Sequence, residues 1–243
     1  MALKALEIDE TDVNAHAMMG RIKSCYDYDW LGAEVDFKRA IELNPGNIDT
    51  HCLYALYLIG IGRADEAIKE MQLSLELDPL SILHNGLLSL VFYYARQFDN
   101  AIAQSQKTLE LAPSYPQALQ ILAVSHAAKG MYDKGITALQ QVRNIPFITA
   151  QLGYLYGKAD KKEEAQKILD DFLKRAKQGY FSPYLIAAVY TGLGDKNKAF
   201  KWLEKAFEER AFKNWCIKVE LILEDLHSDP RWTKLMEKMG LAD

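Results

Sequence analysis

One arrangement of small, large apolar and charged positions returns along the chain at a fixed interval. The stretch AEVDFKRAIELNP at Ala33–Pro45 recurs as ADEAIKEMQLSLELDP at Ala64–Pro79 and as AIAQSQKTLELAP at Ala101–Pro113. Glu-Leu-x-Pro therefore ends at Pro45, Pro79 and Pro113, 34 residues apart each time. Small residues mark two parallel series, Gly20, Ala55, Ser89, Ala123, Gly153 and Ala187, then Ala33, Ala67, Ala101, Gly135, Ala165 and Ala199. The second series is followed one helical turn on by large apolar residues, such as Phe37, Met71, Leu139, Leu169 and Leu203. Small side chains at these places let helix ridges mesh at short interaxial distance, and the large ones fill the space between units. A fixed period of this size marks a stacked array of helix-turn-helix units, none of which buries its apolar face alone.

The pattern predicts an all-α solenoid of about six units. Unit one occupies Val13 to Asn47, with helices near 14–27 and 31–43, one extra residue in its turn, and Asp29 as N-cap of the second helix. Units two, three and four start near Ile48, Ile82 and Pro116 and turn around Gly62, Arg96 and Gly130. Asp65, Asp99, Asp133 and Glu163 fall in the first turn of successive second helices, where a carboxylate meets the positive end of the helix dipole. The interval drops to 30 around Asn144–Pro146, which removes about one turn of helix and leaves Pro146 to open the next one. Units five and six follow, unit six running from Tyr180 to about Arg210. The pattern then degrades: 213–243 is expected to form capping helices, with Asp229 and Pro230 starting the last one, Gly240 ending it, and Trp215, Trp232, Leu235 and Met239 as its lid. At the other end ALKALEID, within 1–12, looks like the second helix of a repeat whose first helix is missing, so a longer parent protein is expected.

Composition narrows the function classes. With 29 Lys and Arg against 33 Asp and Glu, the chain lacks the basic excess of a surface that tracks nucleic-acid phosphates. The longest apolar run, Leu53–Gly62, is about half of a bilayer span and reads as a packed helix. Cys25, Cys52 and Cys216 are far apart and in no CxxC arrangement, so they read as reduced thiols of a cytoplasmic protein. GMYDKGIT at Gly130–Thr137 has the glycine spacing of a phosphate loop, but Ile136 takes the lysine position and no strand precedes it. His16 and His51 occupy equivalent places in units one and two; they read as packing histidines, not as ligands of a shared metal. No catalytic residue, metal site or cofactor is assigned, and the chain is not read as an enzyme.

With these residues laid out, the chain resembles the tetratricopeptide repeat family over nearly its full length. Unit one carries the family pattern through Met19, Gly20, Ala33, Phe37, Ala40 and Pro45, whereas Ser74 and Thr108 stand where Ala is usual and the closing Pro is missing after Pro113. The stretches YDYDWLGAEVDFKRAIELNP and SDPRWTKLMEKMGL also look like repeat arrays attached to bacterial regulators. The resemblance implies a right-handed α-α superhelix whose concave groove, lined by the first helices, holds a partner. Asn14, Arg21, Leu83, Leu90, Tyr93, Gln117, Gln120, Phe147, Tyr154, Phe181 and Tyr184 are the partner-binding residues it predicts. Some members grip acidic chaperone tails with a Lys/Asn clamp. Only Arg21 and Asn14 would serve here, so no such clamp is expected and the partner is a protein or peptide segment with apolar anchors. The alternative is a self-association module giving a homodimer.

Overall fold

The computed structural model describes residues 2–142, 145–210 and 214–241, the side chains of Asn214 and Trp215 excepted. A lone helix, α1 (Ala2–Ile8), precedes six antiparallel hairpins. These pair α2 (Val13–Ile22) with α3 (Trp30–Leu43), α4 (Ile48–Gly60) with α5 (Ala64–Leu77), and α6 (Ile82–Tyr94) with α7 (Phe98–Leu111). They continue with α8 (Pro116–Ala128) and α9 (Tyr132–Gln140), α10 (Pro146–Lys158) and α11 (Lys162–Gln178), and α12 (Pro183–Gly192) and α13 (Lys196–Glu208). Each second helix packs on the next first helix, and first helices pack on one another in file. The described residues contain no strand.

The repeat is enforced at three levels. At the turn, one residue in each hairpin takes a left-handed backbone: Tyr28, Gly62, Arg96, Gly130, Asp160 and Gly194, with φ between 50° and 90°. From unit two onward the residue after it donates a six-to-one hydrogen bond of the Schellman type, as in Arg63 N to Leu58 O (2.9 Å) and Gln97 N to Phe92 O (2.9 Å). In unit one the extra residue is taken up by a π-helical turn at Lys23–Asp27, and Asp29 caps α3 by accepting from Gly32 N. Pro146 opens α10, and α9 is cut to 9 residues where its counterparts α5 and α7 have 14; Asn144, at the shortened junction, lies outside the described residues.

Between helices, the predicted small positions are closed: Ala33, Ala55, Ala67, Ala101, Ala123, Ala165, Ala187 and Ala199 have no exposed surface. A Cβ at Gly20 would stand 2.9 Å from the Phe37 ring, and one at Gly153 the same distance from Val189. Polar clamps repeat as well. The His51 ring donates through Nε2 to the Pro45 carbonyl (2.8 Å) and meets Glu70 through Nδ1. One unit later Asn85 donates to the Pro79 carbonyl (3.0 Å) and accepts from Gln104 (2.7 Å); one unit earlier His16 donates to the Glu10 carbonyl (3.0 Å) and meets Asp36 (3.1 Å). These rings are the satisfied packing histidines of the sequence reading, each tied to the second helix of its own hairpin and to the connection that precedes it.

Between units, ion pairs join a second helix to the next turn. Arg63 reaches Glu34 (2.7 Å), Lys161 reaches Asp133 (2.7 Å), and Lys129 reaches Asp99. Glu34 also takes hydrogen bonds from Lys38 and Tyr54. Burial by itself would raise the Glu34 carboxyl, but hydrogen bonds from Lys38 and Arg63 outweigh it and hold it down at about 2. Asp65, Asp99, Asp133 and Glu163 lie in the first turns of α5, α7, α9 and α11, as their spacing requires.

After unit six the chain departs from the expected capping helices. Residues Asn214–Val219 and Leu221–Leu226 form two 3-10 segments, and α14 (Pro230–Lys238) is the α-helix that follows, capped by Asp229 with Pro230 at its first position. Trp232, Leu235 and Met239 are buried with unit six, while the Trp215 side chain lies outside the described residues. The 3-10 segments do more than cover an end. Cys216 and Leu221 join the core of units one to three, and Ile217, Ile222, Leu223 and Leu226 join that of units five and six. The C-terminal segment thus runs along the face of the first helices and ties both halves of the array together.

Candidate functional site

The first helices present a continuous apolar wall because they are apolar nearly all round: α4, α6 and α12 bury residues on every side. One side of each meets its hairpin partner. The other meets the C-terminal segment.

Glu220 is the polar centre of that contact and is 1% exposed. Its carboxylate accepts from the Tyr94 hydroxyl (3.1 Å) of unit three and from its own Ile222 N–H (3.4 Å), and Tyr184 of unit six lies against the same group. Burial foremost, with the Glu220 charge adding to it, pushes the Tyr93, Tyr94 and Tyr184 hydroxyls well above the usual phenol range. Two ion pairs fasten the rim, Arg96 to Glu224 (2.7 Å) and Lys158 to Asp225 (2.8 Å). Unit one is drawn in too. Trp30 Nε1 donates to the Met239 carbonyl (3.0 Å), Tyr28 stacks on Phe207 at 6.1 Å, and Arg210 donates to the Tyr26 carbonyl while lying 4.4 Å over its ring.

Against this geometry the predicted partner-binding residues divide. Tyr93 and Tyr184 are 3% and 4% exposed and share their cores with the chain's own C-terminal segment, so these two do not stand open to a partner; Leu90 is 7% exposed. Phe147 stacks on Tyr184 at 6.4 Å, and Phe181 packs on Phe172 at 4.8 Å. Asn14, Arg21 and Leu83 stand exposed. What remains open is an indentation of about 280 Å³ that brings Leu90, Gln117, Gln120 and Phe147 together with Ile145 and Ile148, across units three to five. A second, narrower hollow of about 170 Å³ lies between Tyr93, Val124 and Tyr154 on the wall and Leu221 and Ile222 of the C-terminal segment.

Cys25 and Cys52 lack the environment of an activated thiolate. Burial pushes the Cys25 and Cys52 thiols up, the opposite of the shift that activates a thiolate. Among the described residues no His, Cys, Asp and Glu cluster is placed to hold a metal, and no helix is long and apolar enough to cross a membrane.

Family models of the tetratricopeptide repeat match residues 37–69 and 184–211, which lie in the first two hairpins and the sixth. The chain carries tetratricopeptide repeats. Solved structures repeat its architecture at low identity. PilW, a type IV pilus biogenesis factor, is 18% identical with a TM-score of 0.62, over 77% of this chain and 87% of its own. Pseudomonas aeruginosa pilF is 15% identical with a TM-score of 0.55, over 95% of this chain and 98% of its own. A chain of the APC/C Cut9–Hcn1 hetero-tetramer is 16% identical with a TM-score of 0.64, covering 98% of this tetratricopeptide-repeat chain and 44% of its own. At these identities the likeness is one of fold. No curated protein sequence matches the chain.

Sequence reasoning missed Glu220, Arg96, Lys158, Glu224 and Asp225, the residues that fasten the C-terminal segment. The signal for the first was present: in VELIL a lone acid interrupts an apolar run, which in a buried segment requires donors opposite it.

Proposed function

We propose that this tetratricopeptide-repeat array is a protein-interaction scaffold that takes a polypeptide segment in the open indentation across units three to five. The observation that carries this reading is the convergence of Leu90, Gln117, Gln120 and Phe147 on that one indentation. Leu90 and Phe147 offer apolar walls for one or two anchor side chains. The Gln117 and Gln120 amides offer both donors and acceptors to an extended backbone, a pairing that holds a segment without selecting its charge. The C-terminal segment packs with Tyr93 and Tyr184 beside the indentation, so the partner's footprint is short and confined to these units.

The test is selection of peptides from a displayed random library on the intact chain. Selected peptides are expected to carry an apolar anchor and to lose about tenfold in affinity with Phe147→Ala or Gln120→Lys. The half-buried Gln120, which takes no part in the Phe147–Tyr184 stack, keeps the test independent of any loss of that stack. Peptides that bind both variants as they bind the parent would end this reading.

A further inference from the structure

We propose that the narrow hollow under the C-terminal segment is a receptor for a single neutral phenol or indole ring. This site is separate from the open indentation, with its own walls, and does not depend on a peptide being held there.

The hollow has the size, lining and unmet bonding of a site. At about 170 Å³ it is close to the ~150 Å³ of an apolar cavity that admits benzene. Its walls are mixed: Val124, Leu155, Leu221 and Ile222 stand beside the rings of Tyr93, Tyr132 and Tyr154, and Arg96, Lys158, Glu224 and Asp225 add charged groups to the lining. Two polar groups are then left over. Neither the Tyr93 nor the Tyr154 hydroxyl has a hydrogen-bond partner among the described residues, although Tyr93 is only 3% exposed. A phenol O–H or an indole N–H entering the hollow meets these hydroxyls, which both donate and accept.

Charge argues for a neutral ring. The two cations at the mouth, Arg96 and Lys158, are already balanced by Glu224 and Asp225 of the C-terminal segment. An anionic or cationic ligand would therefore lose its hydration without gaining a free counter-charge. The same cations add attraction for an aromatic face. Both rim pairs are partly exposed, and such pairs hold a mouth closed only weakly, so entry requires no unfolding of the wall.

A ring of this chemistry comes either as a free small molecule or as a Tyr or Trp side chain of a partner. Calorimetric titration of the full chain with p-cresol, with toluene, and with a blocked Gly-Tyr-Gly tripeptide separates the two. We expect p-cresol, the tripeptide, or both to bind with Kd of about 1 mM or tighter. Tyr154→Phe is expected to weaken that binding by about fivefold or more while leaving toluene unchanged. Ala128→Phe, at an exposed position on the mouth, should abolish binding with the unfolding midpoint unchanged. Binding by the tripeptide alone assigns the ring to a partner side chain, and binding by p-cresol alone assigns it to a free molecule. Absence of binding by either, which is the outcome for a hollow that holds only water, overturns the proposal. So does p-cresol binding that survives Ala128→Phe.

Discussion

Gly192→Val is expected to lower the unfolding free energy by about 3 kcal/mol, with a fall of about 6–12 °C in Tm. Helices α10 and α12 touch backbone to backbone. A Cβ at Gly192 would lie 2.5 Å from Tyr154 Cα and O, and one at Gly157 would lie 2.4 Å from Gly192 C and O. Most other tight glycines in the array face side chains, which can turn aside. Here the obstacles are main-chain atoms of a neighbouring helix, so relief requires the two helices to separate along their length. That separation also opens the wall on which Tyr184 and the C-terminal segment rest. Gly179→Ala is the control: nothing lies within 4 Å of its Cβ position, its φ is 173°, and a change within about 0.5 kcal/mol is expected. Chemical denaturation of the three proteins reads the difference, and a Gly192→Val protein as stable as the parent would contradict the close approach.

Glu220→Ala is expected to cost a similar amount, about 3 kcal/mol, for a different reason. Removing the carboxylate strips the Tyr94 hydroxyl of its acceptor and leaves the Tyr184 hydroxyl facing a void, both in a dry interior. Each such orphan costs about 1–3 kcal/mol. Glu220→Gln keeps a carbonyl oxygen for Tyr94 and should lose clearly less. Glu224→Ala and Asp225→Ala break only the partly exposed rim pairs and should each cost at most about 1 kcal/mol. The ranking Ala above Gln at 220, with both above the rim variants, separates a buried carboxylate from general loss of negative charge. Equal effects at 220, 224 and 225 would remove Glu220 from the centre of the contact.

The hairpins were readable in the chain because each unit repeats its own local chemistry. Ala33, Ala67 and Ala101 need room for a neighbouring helix, the turn residues need a left-handed backbone, and Pro146 needs a helix start; all three requirements are written within one repeat. The polar clamps were present in the same spacing, since His51 and Asn85, like Glu70 and Gln104, stand 34 residues apart. The route of the C-terminal segment was not readable in this way. NWCIKVELILEDL carries apolar spacing compatible with an α-helix, and its 3-10 form arises from packing against units one to three on one side and units five and six on the other. Its decisive bond joins Tyr94 to Glu220, 126 residues apart, a distance over which no periodicity reports. The candidate site suffered from the same blind spot. All of its residues but Phe181, which lies in the connection ahead of α12, fall on the first helices, and which of them stay open depends on what the end of the chain covers.

The central claim is that this chain's own C-terminal segment occupies the inner wall of its repeat array. Zero-length carbodiimide coupling on the dilute monomer, followed by peptide mass spectrometry, tests it directly, because that reagent joins a lysine to a carboxylate only where the two already touch. The account predicts an amide between Lys158 and Asp225, formed alongside the link between Lys161 and Asp133 that reports the stacked units themselves. Recovery of the Lys161–Asp133 link without any Lys158–Asp225 link would show an intact array with its inner wall uncovered, and would contradict the account.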